Sequence, residues 1–311
     1  MKPRDYALAE QLKAGLYAYD LERRPLPGIA APEDCEALIE QLLESVHRVK
    51  FVAVLRTREL SELRAEPQNE LLFDPLKAAI LEKNRGNTEE AFWLTFLFVH
   101  FGKSSKGGWR YAREVYGRLG EGTKWDWASI SADADGFRKW LTAHFNILTR
   151  TDVPGGFGNH RKYETLDPAS PNGTATVVES YVKWVDPPRT HQQLVDQACE
   201  ETDGDPKRAF DHLYYSMDAV ARFGRTARFD YLTMLGKLGL AGIEAPSAYL
   251  SQATGPLRGA KLLFGTEMEN PGTLDRWLVE LDTYLRVGMQ VLEDSLCNWQ
   301  KSPSKFKPFR G

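Results

Sequence analysis

An eleven-residue apolar run, AFWLTFLFVHF (91–101), limits what this chain can become. A bilayer span needs about 20 such residues, so the run is too short to cross a membrane. A helix with so little polar surface must instead be enclosed by other elements. The chain can supply them: 311 residues, 42% hydrophobic and 27% charged, are ordinary for a soluble globular protein and ample for a real core.

The rest of the sequence is dominated by helical periodicity. In APEDCEALIEQLLESVHRV (31–49), Cys35, Leu38, Leu42, Val46 and Val49 recur at helical spacing behind Pro32. An Asp-Pro start opens FDPLKAAILEKNR (73–85), while EEAFWLTFLFVHFG (89–102) and GGWRYAREVYGRLG (107–120) end on glycine. Further helices are expected at DADGFRKWLTAHF (133–145), TATVVESYVKWV (174–185), HQQLVDQACEE (191–201) and RAFDHLYYSMDAV (208–220). Beyond them come PSAYLSQ (246–252), RGAKLLFG (258–265) and one long helix, TLDRWLVELDTYLRVGMQVLEDSLCNW (273–299). KFVAVLRT (50–57) is the one run with β character, and it equally continues the helix before it. The expected fold class is all-α.

Several function classes are excluded. There is no Walker-type loop, no dinucleotide fingerprint after a strand and no Gly-x-Ser-x-Gly elbow. The cysteines Cys35, Cys199 and Cys297 are far apart, and the histidines are scattered singly, so neither a disulfide framework nor a metal site is expected. No cofactor is implied. The opening MKPRDYALAE is too polar for a signal peptide, and a cytoplasmic protein without a membrane or obligate protein partner is expected. Net charge is −3, so any binding to nucleic acid must depend on a local basic face.

Three stretches carry chemistry. In VARFGRTARFDYLTMLGKLGLAGIEAP (220–246), a Phe-Gly-Arg-Thr turn stands between two helical patterns. Gly224 supplies the backbone freedom of a tight turn, Thr226 is positioned to cap the second helix, and Arg225 adds charge beside N–H groups that bind phosphate oxygens. An ordinary helical hairpin is the alternative. Glu244, just before Pro246 and Ser247, is expected beside a helix start, where the helix dipole keeps a carboxylate ionised. Such an acid can stabilise an oxocarbenium-like transition state and orient water, or it can be a surface acid. Asp230 is the second candidate, expected otherwise to pair with Arg225 or Arg228.

The second stretch is GGFGNHRKYETL (155–166), within a long Gly- and Pro-rich segment. Its glycines read as flexible, and Asn159, His160, Arg161, Lys162 and Tyr163 read as an anion- or nucleic-acid-binding loop, with a solvated loop as the alternative. GKSSKGGWRYAR (102–113) brings Lys103, Lys106, Arg110 and Arg113 around Trp109 and reads as a solvated loop.

The order of these motifs resembles the helix-hairpin-helix DNA glycosylases. GGFGNHRKYETL matches the segment leading into the first helix, RFGRTA the hairpin that clamps backbone phosphates, and Glu244 the position of the catalytic acid. More closely, FGNHRKYETL, FGRTARFDYLTMLGKLGL and APSAYLSQATGPLRGAKLLFG resemble the alpha-glutamyl/putrescinyl thymine pyrophosphorylase family, over about residues 70–265. Relatives in that group look like DNA glycosylases that remove bulky modified bases from phage DNA. The lysine that bifunctional glycosylases carry after the hairpin glycine is replaced by Arg225 and Thr226, which favours water as the nucleophile. The acid is Glu where Asp is commoner.

The resemblance implies a single glycosylase-like helical unit over 1–311, with flanking helices at 1–69 and 266–300 and a mobile basic tail at 301–311. It implies a monofunctional DNA glycosylase acting on double-stranded, modified phage DNA. Glu244 or Asp230 would be catalytic, and Gly224, Arg225, Thr226 and Asn159 to Tyr163 would hold the DNA. A pyrophosphate-displacing base transferase and a non-catalytic DNA-binding module are the alternatives.

Overall fold

The computed structural model describes residues 2–308; Met1 and the last three residues of the expected basic tail lie outside the described residues. Its helices, in chain order, are α1 (Tyr6–Glu22), α2 (Pro32–Thr57), α3 (Pro75–Asn84), α4 (Thr88–Phe101), α5 (Arg110–Tyr116), α6 (Trp127–Ala132) and α7 (Ala134–Leu148). They continue with α8 (Thr174–Val185), α9 (His191–Glu200), α10 (Pro206–Ser216), α11 (Arg225–Leu238), α12 (Gly255–Phe264), α13 (Pro271–Leu285) and α14 (Met289–Trp299). Among the described residues there is no strand, only two isolated bridges, so the fold is all-α.

Short polar side chains set the helix starts. Asp74, Asp126, Asp133 and Asp205 each accept hydrogen bonds from first-turn N–H groups of α3, α6, α7 and α10. Thr190 and Gln193 form a reciprocal capping box on α9. One open reading is decided and one expectation changes. KFVAVLRT completes α2 rather than forming a strand. The long pattern at 273–299 breaks into α13 and α14, because Arg286 and Gly288 turn left-handed and Asp282 accepts from the N–H groups of Val287 and Gly288.

The chain groups into two compact units, one holding residues up to Val54 together with those from Ala245 on, the other Leu55–Glu244. In the first, α1 packs on α13: Tyr19 donates to Glu280 (3.0 Å), and the Arg24 guanidinium lies 3.8 Å from the centroid of the Trp277 ring. Burial, with Glu280 as hydrogen-bond partner, pushes the Tyr19 phenol up to about 12. Gln41 donates to the Lys307 carbonyl (2.8 Å) and Trp299 to that of Pro303 (3.0 Å), so the described part of the basic tail is bonded back onto this unit.

The second unit is built around α4, which contains the apolar run 91–101. Eleven of its 14 residues are buried, which requires neighbours on nearly every side. α3 and α11 pack along it, and α9, α6 and α5 reach its faces. Phe96 stacks on Tyr181 (centroids 3.8 Å apart) and on Phe223 (4.9 Å). Each such buried side chain contributes about 1.5–3 kcal/mol over an exposed one.

Two polar networks run through this core. Glu89 accepts from His191 Nδ1 (2.8 Å), whose Nε2 meets the Tyr181 hydroxyl (2.7 Å), which in turn meets Tyr231 (2.8 Å). Glu90 accepts from the Tyr116 hydroxyl and from the Trp127 N–H, each at 2.7 Å. No helix among the described residues is long and apolar enough to cross a membrane.

Candidate functional site

α10 and α11 form a helical hairpin, but its turn is not made as the residues suggested. Gly224 has φ −68° and ψ −174°, an extended conformation open to any residue; the left-handed position is Arg222, at φ 63°. Phe223 is buried against α4 and anchors the turn, while Arg222 reaches Glu164 at 3.1 Å. The N-cap of α11 is Gly224 itself, with Thr226 one position inside the helix, so no side chain closes the first turn. A Cβ on Gly224 would meet nothing within 4 Å. The turn therefore presents backbone N–H groups, at the positive end of the helix, on an open surface.

Arg225 does not reach outward. It is 6% exposed, with its guanidinium 4.9 Å from the centroid of the Phe229 ring one turn on. Arg228 is also buried, bonded to the Tyr214 carbonyl and paired with Asp218 at 3.1 Å. The long hydrocarbon stems of both arginines are more useful to the α10–α11 seam than to solvent.

The glycines of GGFGNHRKYETL are similarly engaged. Gly158 donates to the Phe101 carbonyl at the end of α4 (2.8 Å), and a Cβ on it would stand 2.8 Å from the Gly102 backbone. A Cβ on Gly107 would stand 2.7 Å from Gly155. These residues let two loops, 102–108 and 154–158, lie backbone against backbone, so they serve close packing rather than flexibility.

The interlock leads into a single turn of 3-10 helix, Asn159–Arg161. Arg161 points inward: Nε donates to the Val99 carbonyl of α4 (2.9 Å), and Nη2 stands 3.5 Å from Oδ2 of Asp230. Burial draws its pKa down, against the opposing pull of Asp230 and Glu164. Asn159, His160, Lys162 and Tyr163 are exposed around it, Tyr163 at 79%, with the Lys162 ammonium 5.0 Å from the centroid of its ring.

Asp230 thus pairs with Arg161, not with Arg225 or Arg228, and its carboxylate stays 44% exposed. The structure ties the loop to α11 through Arg161–Asp230 and to the hairpin turn through Arg222–Glu164. Glu244 lies elsewhere. Its N–H donates to Pro206, the first residue of α10, and its carboxylate is 60% exposed, 3.7 Å from Lys207. α10 separates that point from the turn by roughly 16 Å, at about 1.5 Å per residue. Pro246 and Ser247 start no helix; the chain forms only a short turn at Leu250–Gln252, so the expected helix dipole does not act on Glu244.

One feature was missed by the sequence reading. GKSSKGGWRYAR is not merely a solvated loop: it borders a cavity of about 420 Å³. Lys103, Lys106, Arg110 and Arg113 line it, with Arg150 from beyond α7 and Arg64 and Lys77 from before and within α3. Against these seven cations stand Glu70, Asp74 and Glu114. Oε1 of Glu114 collects Arg110 Nε (3.0 Å), Arg150 Nη2 (3.4 Å) and Arg113 Nη2 (3.5 Å). The clustered lysines were a visible signal; the convergence of Arg64 and Arg150 on them was not.

This combination defines an all-helical protein with an uncapped helical hairpin, a paired acid beside it and a cationic cavity in the same unit. The chain belongs to the family described as alpha-glutamyl/putrescinyl thymine pyrophosphorylase clade 3, which matches residues 33–311. No curated protein and no solved structure matches it.

Proposed function

We propose that this protein acts on DNA bases as a monofunctional DNA glycosylase, excising a modified pyrimidine such as glucosylated hydroxymethylcytosine from phage DNA. The observation that carries the reading is the Arg161–Asp230 pair, which holds a half-exposed carboxylate on the helix that starts at the open turn of Gly224, about 9 Å along its axis. The first turn of α11 takes a backbone phosphate on its N–H groups. Asn159, His160, Lys162 and Tyr163 contact the strand, Tyr163 by stacking. The target nucleotide swings out of the duplex at a cost of a few kcal/mol.

Asp230 then stabilises positive charge developing at the sugar and accepts a proton from the attacking water. The water oxygen bonds to C1′, the glycosidic C–N bond breaks, and its electron pair leaves with the base, which takes up a proton from solvent. An abasic site in an invading genome blocks its replication, which makes antiviral defence the biological role. Arg161 positions the acid.

A second reading, a transferase that displaces pyrophosphate from an activated hydroxymethyl pyrimidine, is favoured by the cationic cavity and by the family description. A base-release assay separates the two. Wild type, Asp230→Asn and Glu244→Gln are incubated with glucosylated phage DNA and with unmodified DNA, and freed base is identified by mass. Release from modified DNA, lost in Asp230→Asn and kept in Glu244→Gln, is the expected result. DNA bound without release would overturn the hydrolytic reading.

A further inference from the structure

We propose that the cavity beside α5 is a phosphoryl-binding site, separate from the acid at Asp230. The protein carries a net charge of −3, yet seven cationic side chains and three carboxylates surround this one cavity. Glu114 is 6% exposed and gathers three guanidiniums on a single oxygen, so one negative charge faces three positive ones in a poorly solvated place. Arg113 has a further partner in the exposed Glu70, and Arg110 spends its remaining N–H groups on the Val153 and Leu148 carbonyls. Among the described residues neither Lys103 nor Lys106 has a carboxylate partner.

A cluster with this imbalance is stabilised by an anion carrying more than one charge. Guanidinium forks held side by side, with lysine ammoniums at the rim, suit a group that offers several oxygens at once, which a phosphoryl group does and a single carboxylate does not. The volume falls within the range of small-ligand sites, roughly 300–1,000 Å³.

The lysines stand on a fixed support. Ser104 and Gly108 exchange backbone hydrogen bonds (2.9 and 3.0 Å), and the Ser104 hydroxyl accepts from the Gly107 N–H (3.2 Å). The loop then packs through Gly107 on Gly155 and through Gly102 on Gly158, next to the turn that carries Arg161. Phosphoryl groups reach such a site from two sources, the backbone of a DNA strand or a small free polyphosphate.

The test is binding, not turnover, so it stands apart from the glycosylase assay. Calorimetric titrations with inorganic pyrophosphate, and with a short unmodified DNA duplex over a salt series, are run on wild type, Lys103→Glu/Lys106→Glu and Arg150→Gln. Both lysines are exposed, and an unchanged melting temperature verifies the fold. We expect wild type to bind at least one probe and both variants to bind it about tenfold or more weakly. If the duplex is the affected probe, the source is DNA backbone, and the double variant also lowers the salt slope by about two. If pyrophosphate alone is affected, the source is a small phosphoryl ligand. Unchanged affinity for both probes overturns the site, whatever the base-release assay gives.

Discussion

The Arg161 guanidinium stands 3.5 Å from the Asp230 carboxylate, but the two partners are unequal: the arginine side chain is 9% exposed and the aspartate 44%. Asp230→Asn should therefore leave stability within about 1 kcal/mol, as half-exposed ion pairs contribute little. Arg161→Met strips the Val99 carbonyl of its donor and should cost about 1–3 kcal/mol. Urea unfolding of both variants measures the difference. Equal losses would mean that the aspartate is a structural partner rather than a poised acid.

Two glycines on this face should respond differently to alanine. At Gly158 the new methyl group would press on Gly102 backbone that cannot swing aside, a loss of about 1–3 kcal/mol. At Gly224 the conformation is ordinary and the space open, so the entropy gain of Gly224→Ala is offset by alanine's poorer fit at an N-cap and the net change should stay within about 1 kcal/mol. Its effect should appear instead as weaker binding to duplex DNA, because a phosphate can no longer approach the backbone as closely. Thermal melts and duplex titrations of the pair read out both effects.

Burial pushes the Glu90 carboxyl up to about 7, against the Trp127 and Tyr116 hydrogen bonds that favour its charged form. The folded protein thus holds this proton more tightly than the unfolded chain does. The resulting stability is complete below about pH 4.5, the unfolded value, and is lost as pH rises through 7. That loss amounts to about 3 kcal/mol at about 1.4 kcal/mol per unit. Glu90→Gln keeps the volume and cannot ionise, so its stability profile between pH 5 and 8 should be flatter than that of wild type. Parallel profiles would contradict the buried acid.

At the other side of α4's first turn the sign is reversed. Burial raises the Glu89 pKa, but hydrogen bonds from the His191 ring and from the His191 and Gln192 N–H groups outweigh it and leave it lowered, while burial favours the neutral form of the His191 imidazole. A lowered carboxylate stabilises above its unfolded value, and that contribution is lost as pH falls through the folded one. Glu89→Gln should therefore cost most near neutrality, about 1 kcal/mol for the weakened hydrogen bond. Below about pH 4.5 the gap from wild type should narrow. Chemical unfolding at pH 7, 5 and 3 follows it.

Local signals in the sequence located most of the helices. Asp74 before Pro75, Asp133 before α7 and the glycine after Phe101 mark element ends by short-range chemistry, and there the expected and observed boundaries agree within a few residues. The break at Arg286 was hidden because the apolar spacing carries on smoothly through it. The inward turn of Arg161 was hidden for another reason: its partners, Val99 and Asp230, are brought to it by tertiary packing alone. Asp230 was legible as an acid but not as that arginine's partner, and the basic loop at 102–113 was legible as charge but not as a cavity wall.

The loop that carries Arg161 hangs from the last turn of the most enclosed helix in its unit, through the Phe101 and Val99 carbonyls. The side chains on either side of Arg161, those of Asn159, His160, Lys162 and Tyr163, are exposed. A buried, anchored side chain and exposed ones therefore stand next to one another along the chain. If the loop contacts DNA as proposed, a library that randomises only those four positions would change what it contacts while the scaffold beneath it stays fixed.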